Sequence, residues 1–214
     1  MNIDFKKFEE KLAEKFDVMS HLVTEDLIRY WFIQSQGREY ADAEIEAPYR
    51  RLRLNPCFNG TLSNRARVDL HYKEEDVVIE FKYHKKVALS TTCKTTNMGS
   101  VFNDLNRLST LKNEKYLIYV FDQEMHDYYQ KHSPTEILKV GSDVRSLDIR
   151  ELRADALRED GEFFKSALAS FAEVVDGFSG FSYNAQVVWS SKIGDFLDCD
   201  GNKSGFYLIA FKVD

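Results

Sequence analysis

Cysteine is scarce in this chain, and long apolar runs are missing. Cys57, Cys93 and Cys199 are spread over 214 residues with no C-x-x-C pair. That excludes a disulfide framework and argues for buried or incidental thiols over a zinc site. No apolar run reaches membrane-spanning length, and MNIDFKKFEEKLAEKF has no signal-peptide core, so a cytoplasmic protein with no membrane partner is expected. G-x-x-x-x-G-K and G-x-G-x-x-G are both missing, which leaves nucleoside triphosphate and dinucleotide binding without support. His84, His126 and His132 have no ligand spacing and no paired nucleophile, so no hydrolase triad can be assembled. There is no internal repeat. With 43% hydrophobic and 14% aromatic residues the chain is not disordered. Its length fits one domain over 1–214, with a core over about 20–122 and a C-terminal extension over about 123–214.

Acids are locally absent as well. The formal net charge is −6, yet no Asp or Glu lies between Glu46 and Asp69, where Arg50, Arg51, Arg53, Arg65 and Arg67 fall. None lies between Glu80 and Asp104, where Lys82, Lys85, Lys86 and Lys94 fall. The local potential, not the total charge, governs attraction to phosphate. A solvated basic face is the plainer reading of such a cluster. Here the cluster brackets a pair of carboxylates, which favours phosphate binding.

That pair sits in ARVDLHYKEEDVVIEFKYHKK, residues 66–86. Ala66 to Lys73 and Asp76 to Tyr83 alternate apolar and polar residues, the period of half-buried strands, and predict a β-hairpin. Val68, Leu70 and Tyr72 share one face with Val77, Ile79, Phe81 and Tyr83; Arg67, Asp69 and His71 share the other with Val78, Glu80 and Lys82. The register that pairs Leu70 with Ile79 sets Val68 across from Phe81 and Asp69 across from Glu80. Like charges opposed in this way, with β-carbons about 5 Å apart, destabilise a sheet. A cation between them or a retained proton relieves the repulsion, and Mg²⁺ suits one or two carboxylates, with waters and phosphate completing its shell.

Helices are predicted over Asp4 to Met19 and over Thr24 to Gln36, the second capped by Thr24 and stopped at Gly37. Glu25 and Asp26 lie in its first turn, where the helix dipole favours acids whatever they do. DAEIEA, residues 42–47, reads as a strand before an Arg-bearing loop. A Ser- and Thr-rich loop over 89–100 is followed by a helix over Asn97 to Lys112, on which Ser100, Asn103, Asp104 and Arg107 are the residues to face a ligand. KYLIYVF, residues 115–121, reads as a strand covered on both faces. Strand, helix, strand implies a crossover and a mixed sheet flanked by helices, an α/β (α+β) fold. Further helices are expected over Ser146 to Leu157 and Glu162 to Val174, and a closing hairpin over Asn184 to Lys192 and Ser204 to Val213. Asp198-Cys199-Asp200-Gly201 lacks the spacing of a calcium loop and reads as a turn.

Asp69 followed on the next strand by Glu80-Phe81-Lys82 resembles the signature of the PD-(D/E)XK nuclease superfamily. The α-β-β-β-α-β order from Thr24 to Phe121 is similar to its restriction-endonuclease-like core. Glu25 matches the acid that the family often carries on the preceding helix; Val68, where the motif has Pro, is a departure. The resemblance implies Mg²⁺-dependent hydrolysis of phosphodiester bonds, with Mn²⁺ as substitute. It makes Asp69 and Glu80 metal ligands, with the backbone carbonyl of Phe81 and with Glu25 holding a second metal or a bound water. Lys82 would orient the attacking water or stabilise charge on the phosphate. Arg65, Arg67, Lys85, Lys86, Arg51 and Lys94 would contact the nucleic-acid backbone. DNA is the expected partner, with RNA open, and type II restriction enzymes, often homodimers, are the expected relatives. A repair or recombination nuclease and a catalytically silent binding module remain as alternatives.

Overall fold

Asp4 opens the first helix by accepting the amide of Lys7 at 2.9 Å, and α1 runs Phe5–Met19. Thr24 does the same for α2, Glu25–Ser35, accepting from Leu27, and Gly37 follows in the left-handed region at φ +67°. The structure is a computed structural model and describes residues 1–86, 94–131, 133–143, 145–148 and 184–214. The helix expected over Glu162 to Val174 lies outside these residues. So does most of the one expected over Ser146 to Leu157, whose first three residues are strand instead.

Seven strands form one sheet: β1 Glu44–Pro48, β2 Arg67–Tyr72, β3 Val77–His84, β4 Glu114–Asp122, β5 Ser146–Asp148, β6 Asn184–Leu197 and β7 Lys203–Val213. Their order is β1-β2-β3-β4-β7-β6-β5. Every neighbouring pair is antiparallel except β3 and β4, which run parallel and are joined through α3, Lys94–Ser109. The fold is therefore α+β with a mixed sheet, as the sequence implied. The segment expected as a C-terminal extension supplies three of the strands, and β7 lies directly against β4.

The α1–α2 side of the sheet holds one core, built from Phe8, Phe16, Phe32, Ile79, Phe81, Ile118 and Leu208. On the other side α3 and α4, Gln123–Lys131, pack Met98, Phe102, Leu105 and Met125 over Val78, Leu117, Tyr119, Phe121 and Ile209. Leu117 and Ile118 are adjacent, fully buried and in opposite cores, which explains the continuous apolar run of β4.

The hairpin register is as expected near its turn, with Leu70 paired to Ile79 and Tyr72 to Val77. Further along it is not. The ladder ends at Leu70 and Ile79, and Val68 pairs with Ala47 of β1 and packs in the α3 core, not beside Leu70. The cause lies next door. Glu46 of β1 has φ +52°, a left-handed backbone inside a strand, and the faces switch on either side of it: Ile45 goes with one core and Ala47 with the other.

Candidate functional site

Where β2 leaves β3, the edge of β3 has no neighbouring strand to take its amides, and side chains take them instead. Asp69 Oδ2 accepts the Phe81 amide at 2.7 Å, the bond that Val68 would have made had the ladder continued. Glu25 Oε2, reaching from the first turn of α2, accepts the Tyr83 amide at 3.0 Å. Both acids thus meet the backbone of β3. A buried amide left without a partner is costly, so these bonds are also structural.

The opposite oxygen of Asp69 is held by Arg29, 3.2 Å away on α2. Arg29 is buried among carboxylates: it also pairs with Glu46 at 2.9 Å and with Asp26. Glu80 is engaged from the other side of the sheet. Its Oε1 accepts from Arg107 of α3 at 3.0 Å, and Arg107 also pairs with Asp104, one helical turn away. Lys82 Nζ lies 2.8 Å from Asp104 Oδ2. Asp69 is thus held by Arg29 of α2 and Glu80 by Arg107 of α3, and the two carboxylates are near enough for Asp69 to disfavour the charged form of Glu80.

Burial dominates the electrostatics. It raises the Asp69 carboxyl to about 6, against the pull of the Phe81 amide and Arg29. It pushes Glu80 well above the usual carboxylate range, and the neighbouring Asp104 and Asp69 push the same way. Glu25 is raised by burial too, with Lys82 opposing. For Lys82 burial acts downward, but Asp104, Glu25 and Glu80 outweigh it and the ammonium is raised. Six carboxylates (Glu25, Asp26, Glu46, Asp69, Glu80 and Asp104) share three cations, Arg29, Lys82 and Arg107. The cluster has room for more positive charge.

That surplus bears on the metal. Among the described residues, no group of three or more His, Cys, Asp or Glu side chains is placed to close around a metal ion. Glu80, its side chain only 7% exposed, nevertheless has an oxygen, Oε2, with no hydrogen-bonding partner among the described residues. Leaving such an atom unsatisfied costs about 1–3 kcal/mol. One spare buried carboxylate oxygen, a second carboxylate nearby and an acid surplus fit a cation such as Mg²⁺, which takes few protein ligands and keeps its waters.

The basic residues differ in how far they are already committed to partners. Lys85 Nζ donates to the carbonyls of His21 and Val23, both at 2.9 Å, and the Arg67 guanidinium donates to those of Asn64 and Ala66. These two are committed to backbone. Arg51 pairs with Glu44, Lys86 with Asp200 and Lys94 with Glu124, all in exposed or half-exposed pairs that a phosphate could displace. Arg65 is exposed in the turn before β2. The Phe81 ring packs against Phe32 at 5.4 Å, leaving its backbone to the site.

Asp104 and Arg107 were legible as the inward polar residues of α3. Arg29 and Glu46 were not. The available signal for Arg29 was its place one turn after Glu25, on the same stripe of α2. His84 is buried with Nδ1 3.1 Å from the Tyr119 hydroxyl and Nε2 3.3 Å from Ser100 Oγ; burial, then Lys82, brings it down to about 3, so it stays neutral. No protein-family model, curated protein or solved structure matches this chain. No helix among the described residues is long and apolar enough to cross a membrane.

Proposed function

We propose that the chain is a Mg²⁺-dependent nuclease that hydrolyses phosphodiester bonds in DNA, a PD-(D/E)XK-type enzyme similar to the type II restriction endonucleases. One observation carries this reading. Asp69, Glu80 and Lys82, with Glu25 from the preceding helix, converge where β2 parts from β3, and the Oε2 atom of Glu80 is buried there without a partner among the described residues. The order helix, three antiparallel strands, helix and parallel strand supports it as well.

Hydrolysis adds one water across a P–O ester bond and leaves a phosphate monoester and a hydroxyl. A divalent cation at Glu80 and Asp69 would supply Lewis acidity and lower the pKa of water. The remaining work falls to the chain. Lys82 is held at Asp104 with its ammonium fully charged, placed to stabilise negative charge developing on the phosphate. Glu25, near enough to Lys82 for its charge to be felt, can accept a hydrogen bond from the attacking water at the oxygen that the Tyr83 amide does not use. Arg51, Arg65, Lys86 and Lys94 can steer the phosphate backbone without reading sequence. A homodimer cutting both strands belongs to the same proposal.

A second reading has its own support: a catalytically silent nucleic-acid-binding module. Both oxygens of Asp69 already serve the fold. Plasmid nicking with Mg²⁺, with Mn²⁺ and with EDTA, using wild type, Asp69→Ala and Glu80→Ala, separates the two. Metal-dependent nicking lost in both variants supports the nuclease. DNA binding without cleavage in either metal supports the silent module. Cleavage confined to branched or single-stranded DNA moves the proposal to a repair nuclease.

A further inference from the structure

Two buried atoms in the site are complementary. Glu80 Oε2 is an acceptor, Arg107 Nε is a donor, and neither has a hydrogen-bonding partner among the described residues. They belong to side chains already joined, since Arg107 donates from its terminal nitrogen to Glu80 Oε1 at 3.0 Å. A cation for the carboxylate and an oxyanion for the guanidinium would satisfy both at once. Arg107 has a second anchor that does not depend on Glu80: Asp104, one turn back on the same helix. Its side chain is 27% exposed, while that of Glu80 is 7% exposed, so of the pair it is Arg107 that reaches toward solvent. Arg29 offers no such freedom, being held by Asp26 of its own helix and by Glu46 and Asp69 on two other elements, with its side chain 8% exposed.

Resting on the metal-dependent reading above, we infer that Arg107 is a phosphate-positioning residue that competes with the divalent cation for Glu80. Without metal, Arg107 holds Glu80 through Oε1. With metal, Arg107 keeps Asp104, releases Glu80 and turns its guanidinium to a phosphate oxygen of the DNA, a geometry that suits its fork of donors. Cation and phosphate then bind with positive coupling, and by linkage each raises the affinity of the other by the same factor.

The test measures binding, not turnover. Calcium ion, an oxygen-seeking divalent probe, is titrated calorimetrically into wild type, Arg107→Gln and Arg107→Lys, and binding of a short DNA duplex is followed by fluorescence anisotropy with and without Ca²⁺. In wild type, Ca²⁺ should tighten duplex binding about tenfold, a typical coupling. Arg107→Gln should bind Ca²⁺ more tightly than wild type, because the competing cation is gone, and should lose most of the coupling. Arg107→Lys keeps the charge but not the fork, so it should bind Ca²⁺ as wild type does and still lose coupling. Tighter Ca²⁺ with lost coupling is an outcome that misfolding does not produce. Weaker Ca²⁺ binding in folded Arg107→Gln, or full coupling in both variants, overturns the inference while leaving the nuclease reading intact. No Ca²⁺ binding by wild type, with duplex affinity unchanged, overturns both and assigns the two buried atoms to an internal water.

Discussion

The two ends of the β2–β3 pair obey different rules. Near the turn, Leu70, Tyr72, Val77 and Ile79 are fully buried, backbone pairs with backbone, and the register follows from alternation. Beyond Leu70 and Ile79 the strands part, and carboxylates from β2 and α2 take the amides of Phe81 and Tyr83. The first end is held by removal of apolar surface from water, which is cooperative, non-directional and insensitive to pH. The second is held by charged groups that burial disfavours, and on the proposed reading these are the groups that a cation and a phosphate would engage.

The sharpest way to break this contrast is to compare one side chain from each end. On the proposed nuclease reading, Lys82→Ala should lower Mg²⁺-dependent cleavage by about 10²–10³-fold, the usual loss on removing a charge-stabilising group aimed at the transition state. Its unfolding free energy should fall by about 1–3 kcal/mol, because Asp104 Oδ2 loses its ion pair while Arg107 still holds Oδ1. Single-turnover nicking beside urea unfolding of the same samples reads both quantities. Ile79→Ala at the apolar end should invert the pattern: a loss of about 2–5 kcal/mol in stability, with cleavage per folded molecule nearly unchanged. If Lys82→Ala were the less stable of the two, the charged end would be part of the scaffold and the division drawn here would fail.

A smaller effect sharpens the same comparison through pH. Burial raises folded Asp69 to about 6, while an unfolded aspartate titrates near 3.9. The folded chain therefore holds this proton longer. The stability it contributes is complete below the unfolded value and is lost as pH rises through the folded one. Replacing Asp69 by Asn removes that dependence. The stability difference between wild type and Asp69→Asn should shift in favour of the variant by about 2 kcal/mol between roughly pH 4 and pH 7. A difference that stays flat in urea titrations across that range would make Asp69 an ordinary ionised partner of Arg29.

This division also accounts for what the sequence made legible. Alternation in residues 66–83 and the unbroken apolar run of β4 are local signals of burial, so the hairpin register near the turn and the doubly covered strand could be read directly. Asp69, Glu80 and Lys82 could be named as candidates because they lie on that hairpin, and Asp104 and Arg107 because they fall on the polar stripe of an otherwise apolar helix. Arg29 carried no such mark. Its importance comes from Asp69 and Glu46, 40 and 17 residues away in sequence. The basic run was legible as charge but not as geometry, since Lys85 and Arg67 spend their donors on carbonyls. The place of β7 beside β4 is likewise a long-range pairing that no window of sequence encodes, and α4 is too short and polar to stand out by periodicity.

Glu46 is the least legible residue of all, and it permits the finest test. A left-handed backbone is rare for glutamate, costs about 1–2 kcal/mol relative to a right-handed one, and is nearly free for glycine. Here it sits at the position where both β1 and β2 change faces, and its side chain meets Arg29. Side-chain and backbone contributions can be separated by two variants that both lose the carboxylate. Glu46→Ala keeps the strain; Glu46→Gly removes it. If the face switch is built on that backbone conformation, Glu46→Gly should be more stable than Glu46→Ala by about 1 kcal/mol in thermal or urea unfolding. The reverse order is what the usual cost of glycine in an ordinary strand would give, and it would mean that the parting of β2 from β3 has another origin.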